Sequence, residues 1–74
     1  MKHPNAVIKV ILTKNIKKYR TILNLTQEQA AEKADITVKY WQRLEMISQI
    51  DLPSLPVLFK IAKALKIQSY QLLK

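Results

Sequence analysis

Residues 25–45 read Leu25-Thr26-Gln27-Glu28-Gln29-Ala30-Ala31-Glu32-Lys33-Ala34-Asp35-Ile36-Thr37-Val38-Lys39-Tyr40-Trp41-Gln42-Arg43-Leu44-Glu45, and this stretch decides the fold. Thr26 followed three residues later by Gln29 has the form of a capping box, in which the hydroxyl accepts the third amide of a helix and the glutamine side chain reaches back to the cap. Gln29 to Ala34 are helix formers, so a short helix 2 follows the box. Asp35-Ile36-Thr37 interrupts it. Aspartate is one of the few non-glycine residues that tolerate a left-handed backbone, and Thr37 can cap a helix 3 that reaches about Glu45. The pattern predicts helix, tight turn, helix.

Upstream, Asn5 is read as an N-cap, and Ile8, Ile11, Leu12, Ile16, Tyr19, Ile22 and Leu23 recur at helical spacing, which predicts a helix 1 over 6–23. Downstream, residues 46–53 hold Ser48, Asp51 and Pro53 and read as a loop, one made apolar by Met46, Ile47, Ile50 and Leu52. Ser54 then caps a helix 4 with Pro56 in its first turn, and Leu55, Leu58, Phe59, Ala62 and Leu65 form its apolar face. Lys66-Ile67-Gln68 breaks it, and Ser69 to Lys74 starts a fifth helix. The expected fold is all-α: a compact bundle of about five short helices in one domain over 1–74, behind a frayed terminus 1–5 that holds His3.

Composition narrows the chemistry. Seventy-four residues are about half of a typical domain of roughly 150. Thirteen Lys plus Arg against five Asp plus Glu give a net charge of +8, which attracts polyanions, and a 49% hydrophobic content suffices for a core. With no cysteine and one histidine, thiolate zinc sites, cysteine nucleophiles and histidine clusters are excluded. With no glycine, the phosphate-cradling loops of nucleotide enzymes are excluded as well, since their backbone must approach phosphate without a Cβ. No enzymatic constellation remains, and Glu28, Glu32 and Asp35 read as a solvated acidic stretch. No cofactor and no metal are expected. No apolar run nears the roughly 20 residues that span a bilayer, so the chain is read as cytoplasmic.

At about 100° per residue, Thr37, Tyr40, Trp41 and Leu44 fall on one side of helix 3 and Val38, Lys39, Gln42 and Arg43 on the other. The second face offers what base edges in a major groove accept: a cation or guanidinium for guanine, an amide for adenine and a branched apolar group for the thymine methyl. An ordinary solvated helix face would carry similar residues, so context has to decide.

That context is a resemblance. Ile16-Lys17-Lys18-Tyr19-Arg20, Leu25-Thr26-Gln27-Glu28-Gln29-Ala30-Ala31, Ile36-Thr37, Leu44-Glu45, Pro53-Ser54-Leu55, Ile61-Ala62-Lys63-Ala64-Leu65 and Leu72-Leu73 make the chain from Asn15 to Leu73 resemble the phage repressor/Cro-like, XRE-type helix-turn-helix family. The resemblance implies a lambda-repressor-like domain whose helix 3 enters the major groove of double-stranded DNA. It implies that Val38, Lys39 and Arg43 read bases with Gln42 beside them, and that Gln27 touches phosphate. Thr37, at the start of helix 3, is assigned to phosphate with it. It also implies a structural pair between Arg20 and Glu45. The usual glycine of the turn is Asp35 here, a second usual glycine is Ile47, and the stretch from Glu45 to Pro53 is about two residues longer than the common spacing. Ala30 replaces a larger aliphatic and Trp41 a small branched one, as if one volume had moved across the core, which makes Trp41 a core residue. For Gln27, the amides and positive dipole end at a helix N-terminus give an independent reason to favour an anion.

Charge is uneven: residues 1–24 carry six bases and no acid, residues 25–52 three bases and five acids, and residues 53–74 four bases and no acid. The helix-turn-helix is therefore slightly acidic, and attraction to DNA must come from the flanking helices. The function expected is sequence-specific DNA binding by a transcriptional regulator, a repressor or autoregulated controller acting as a homodimer. Its pairing surface would draw on Met46, Ile47, Ile50, Tyr70 and Leu73. An antitoxin-type protein with the same fold, docking on a protein partner through loop 46–52 or the last helix, is one alternative. A cationic helix binding a membrane surface or an acidic protein through Lys9, Lys14, Lys17 and Lys18 is the other. The spacing and capping that continue through helices 2 to 4 favour a packed bundle over the latter.

Overall fold

A computed structural model describes residues 4–49 and 52–74. His3 and Ile50 lie outside the described residues. The elements are α1 (Pro4–Ile22), α2 (Gln27–Lys33), α3 (Val38–Leu44), α4 (Leu55–Ala64) and a terminal 3₁₀ helix (Ser69–Leu73). Among the described residues there is no strand, and no helix is long and apolar enough to cross a membrane.

The caps are made by the residues that predict them. The Thr26 hydroxyl accepts from the Gln29 amide at 3.0 Å while the Gln29 side chain accepts from the Thr26 amide at 2.9 Å. Thr37 accepts from the Tyr40 amide and Ser54 from the Val57 amide. Asn5 is not an N-cap: α1 already includes Pro4 and Asn5, since proline's fixed φ and missing N–H suit a first turn, so residues 4 and 5 are helical where a frayed terminus is expected.

Three helices end in the same way, without glycine. Asn24, Asp35 and Lys66 stand at φ 56°, 57° and 60°. Each is followed by an apolar residue whose amide closes a wide turn: Leu25 to the Arg20 carbonyl, Ile36 to Ala31 and Ile67 to Ala62. These are Schellman closures, and Leu25, Ile36 and Ile67 all pack against the core as that motif favours. Asparagine and aspartate tolerate the conformation, whereas lysine at position 66 has no such excuse and carries a left-handed penalty of about 1 kcal/mol. Lys66→Gly should therefore raise the melting temperature by several degrees, at about 4–8 °C per kcal/mol for a domain of this size. An unchanged or lower melting temperature would show that the left-handed backbone costs nothing there.

The core comprises Leu12 and Ile16 of α1, Ala30 and Ala31 of α2 with Ala34 just past it, Trp41 and Leu44 of α3, Leu58, Ile61, Ala62 and Ala64 of α4, then Leu65 and Leu72. Two apolar faces differ from their sequence reading. In α1 the buried face is turned toward polar residues: Lys9 and Thr13 are buried with Leu12 and Ile16, while Ile8 and Ile22 are exposed. In α4, Leu55 and Phe59 are exposed and Ile61 takes their place in the core. Hydrophobic spacing finds Leu12, Ile16, Leu58, Ala62 and Leu65 but misplaces the edges of both faces, because the neighbouring elements determine how much of each helix is covered. Burial of Lys9 also removes it from the lysine row of α1, where Lys14, Lys17 and Lys18 remain exposed.

Candidate nucleic-acid interface

Two short helices and one turn build the site. α2 and α3 pack closely on each other, joined by the turn at Asp35, whose left-handed backbone redirects the chain between them. On α3, Lys39, Gln42 and Arg43 are all exposed, and their i, i+3, i+4 spacing makes them neighbours on one face. Val38 lies at the inner edge of this face: it is half-buried and packs against the core, so its methyl groups are only partly presented. Thr37, placed by the sequence pattern on the core side, is exposed. Its oxygen caps α3, and a hydroxyl that accepts there still carries a proton to donate.

Behind the reading face sits a carboxylate that four donors converge on. Glu45, the C-cap of α3, accepts from Arg20 Nε at 2.7 Å and Arg20 Nη2 at 3.1 Å, from Gln27 Nε2 at 3.1 Å and from Trp41 Nε1 at 2.6 Å. Its side chain is 5% exposed and that of Arg20 15%. Burial alone would push the Glu45 pKa up; the hydrogen bonds from Arg20, Trp41 and Gln27, together with the Arg20 charge, more than reverse this and hold it below its ordinary value of 4.5. Arg20 also donates from Nη1 to the Leu25 carbonyl at 2.8 Å, so one guanidinium joins the end of α1, the approach to α2 and the end of α3. Gln27, assigned to phosphate from the sequence, stands at the first position of α2 and spends one of its two amide N–H donors on Glu45. It therefore ties the start of α2 to the end of α3.

The far end of α3 is held from α1 as well. Lys9 Nζ donates to the Arg43 carbonyl at 3.1 Å and Thr13 Oγ1 to the Leu44 carbonyl at 3.0 Å. Asn15, on the same helix, donates to the Leu72 carbonyl at 2.8 Å and fastens the terminal 3₁₀ helix. Periodicity did not reveal these contacts, nor the indole bond of Trp41. For Lys9, Thr13 and Arg20 a signal was present: with 3.6 residues per turn they share a stripe about 60° wide with Ile16, a polar row running through a buried position.

A family model described as Helix-turn-helix matches residues 16–72, most of the chain, from the C-terminal part of α1 through α2, α3 and α4 into the terminal 3₁₀ helix. The chain belongs to this repressor/Cro-like, XRE-type helix-turn-helix family. The helix-turn-helix of the family is α2, the turn at Asp35 and α3, and this protein is a DNA-binding transcription regulator. The family is one of regulatory DNA-binding domains and is not typically enzymatic. No curated protein and no solved structure matches the chain.

Proposed function

We propose that this helix-turn-helix protein is a sequence-specific repressor or autoregulated controller that lays α3 in the major groove, with Lys39, Gln42 and Arg43 at base edges and Val38 beside them. The observation that carries this is the pairing of an exposed Lys39, Gln42, Arg43 face with an acid, Glu45, drawn inward at the end of the same helix. A carboxylate exposed at that position would repel phosphate. Turned toward Arg20, it is neutralised and used to hold the helix instead. Gln27 and Thr37, at the starts of α2 and α3, are the proposed phosphate contacts.

A two-turn helix covers only a few base pairs, so specificity calls for two protomers with their α3 helices about 34 Å apart on a two-fold site. Exposure of Met46, Ile47, Tyr70 and Leu73 supports a homodimer, and equally a protein partner on the same surface. Leu73 adjoins a groove of about 220 Å³ lined with Ile8, Leu52 and Leu55, which extends the apolar area.

Selection of bound duplexes from a random pool tests this, followed by titration of the enriched sequence across salt. Four to six phosphates neutralised per protomer should give a slope of about −0.9 per contact in log affinity against log salt, and the motif should be two-fold. Arg43→Ala and Lys39→Ala should each lose about 1–3 kcal/mol and relax preference at particular base pairs, whereas Gln27→Ala should weaken all duplexes evenly. Flat salt dependence would refute DNA binding. A single unrepeated motif bound by a monomer would refute only the dimer.

A further inference from the structure

Lys9 is 1% exposed, and its ammonium lies against a carbonyl of the helix proposed to read DNA. A cation buried to this degree loses its hydration, and a methionine of similar length would fill the same space without that loss. Among its interactions, the bond to the Arg43 carbonyl places the ammonium at the end of α3. α3 has seven residues, and its last carbonyls form the negative end of its dipole; that of Arg43 accepts from the Met46 amide at 3.1 Å and from Lys9 Nζ as a second donor. A helix so short does not hold its own conformation and depends on its neighbours.

The neighbour here is α1, with nineteen residues the longest element. Lys9, Thr13 and Arg20 line one stripe of it and grip three consecutive residues: the Arg43 carbonyl, the Leu44 carbonyl and the Glu45 carboxylate. Along α1, Thr13 lies between the two long side chains, so α3 is bonded to α1 at three successive residues. Arg43 is itself a proposed base reader. Base recognition needs side chains held to within about 0.5 Å, and the bond from Lys9 acts on the backbone from which Arg43 extends.

We infer that Lys9 is a positioning residue for DNA recognition: by holding the Arg43 carbonyl it sets the pose in which α3 presents Lys39, Gln42 and Arg43, and it governs discrimination between operator and random DNA without contacting either. The inference rests on the DNA-reading function proposed above. Lys9→Met, which keeps the stem and removes the charge, tests it against the selected duplex and a random one across a salt series. The expected result is a tenfold or greater loss of affinity for the selected duplex, less than a twofold change for the random duplex, and an unchanged salt slope. Equal losses on both duplexes with a slope shallower by about 0.9 would make Lys9 a phosphate contact and overturn the inference. Undiminished discrimination with only a lowered melting temperature would also overturn it, leaving Lys9 a packing residue.

Should Lys9→Met fail to fold, Thr13→Val removes the adjacent grip with little change of shape, and discrimination should fall about threefold. Unaltered discrimination in that variant counts against the inference. If the wild type selects no duplex at all, the DNA-reading function fails by itself. Amide exchange then decides the positioning role: Lys9→Met should accelerate exchange in the last turn of α3 and leave α4 unchanged, and equal protection in both proteins overturns it.

Discussion

Glu45→Gln is expected to destabilise the protein by about 3 kcal/mol, because it leaves the Arg20 guanidinium, 15% exposed, without its counter-charge. Total stability at about 0.05–0.15 kcal/mol per residue is roughly 4–11 kcal/mol for 74 residues, so the loss is a large share of the whole. The glutamine oxygen can still accept from the Trp41 indole and Arg20 Nε, but its NH2 then faces the donors Arg20 Nη2 and Gln27 Nε2, so two accepted hydrogen bonds are lost along with the charge. Arg20→Met combined with Glu45→Gln should recover much of the loss, since removing both charges also removes the cost of burying them. A double variant as unstable as the sum of its single changes would show that the two side chains act independently.

The same carboxylate makes stability depend on pH. Its pKa is lowered on folding, so its contribution is fully present above the ordinary value of 4.5 and is lost as pH falls below 4.5 and through the folded value. Glu45→Gln has no such group. The difference in melting temperature between wild type and variant should therefore be constant near neutral pH and narrow steadily in acid. A difference that persists down to about pH 3 would mean that Glu45 titrates alike in folded and unfolded protein.

Trp41→Ala is expected to cost about 3–5 kcal/mol, enough to leave little folded protein at ambient temperature. The indole is 0% exposed, and α2 contributes only the small side chains Ala30 and Ala31 to the core, so truncation leaves a cavity that α2 has no bulk to fill. Truncation also takes one donor from the buried Glu45 carboxylate. Trp41→Phe separates the two effects: it keeps most of the volume and loses the charged hydrogen bond, at about 1.5–3 kcal/mol. Tryptophan fluorescence of the wild type should resist quenching by acrylamide until the protein unfolds. Ready quenching in the native protein, with an unchanged melting temperature in Trp41→Ala, would place the indole at the surface and reopen a binding role for it.

Much of this architecture is local chemistry and was legible residue by residue. Thr26 with Gln29, Thr37 and Ser54 mark where α2, α3 and α4 begin, because a capping hydroxyl and the amide it serves lie within one turn. Asp35 marks the turn because aspartate is one of the few non-glycine residues that tolerate a left-handed backbone. The exposure of Lys39, Gln42 and Arg43 follows from their spacing on one short helix. What was not legible is that Asn24 and Lys66 close their helices in the same way: at all three positions an apolar residue follows and packs on the core.

How the covered faces of α1 and α4 are rotated about Leu12, Ile16, Leu58 and Ala62 was decided only by the assembled fold. An apolar count places Ile8 and Ile22 inside and Lys9 and Thr13 outside, and the structure reverses both pairs. The carbonyls of Arg43 and Leu44 lie against α1, where an ammonium and a hydroxyl donate to them as isoleucine cannot, the Arg43 carbonyl accepting from the Met46 amide as well. The indole bond of Trp41 to Glu45 is of the same kind, since a carboxylate buried by Arg20 becomes an acceptor that the sequence around Trp41 does not announce. Local hydrogen bonding and helical spacing act over a few residues and can be read along the chain. Satisfying a buried polar group requires knowing which distant backbone ends there, and that is a property of the tertiary arrangement alone.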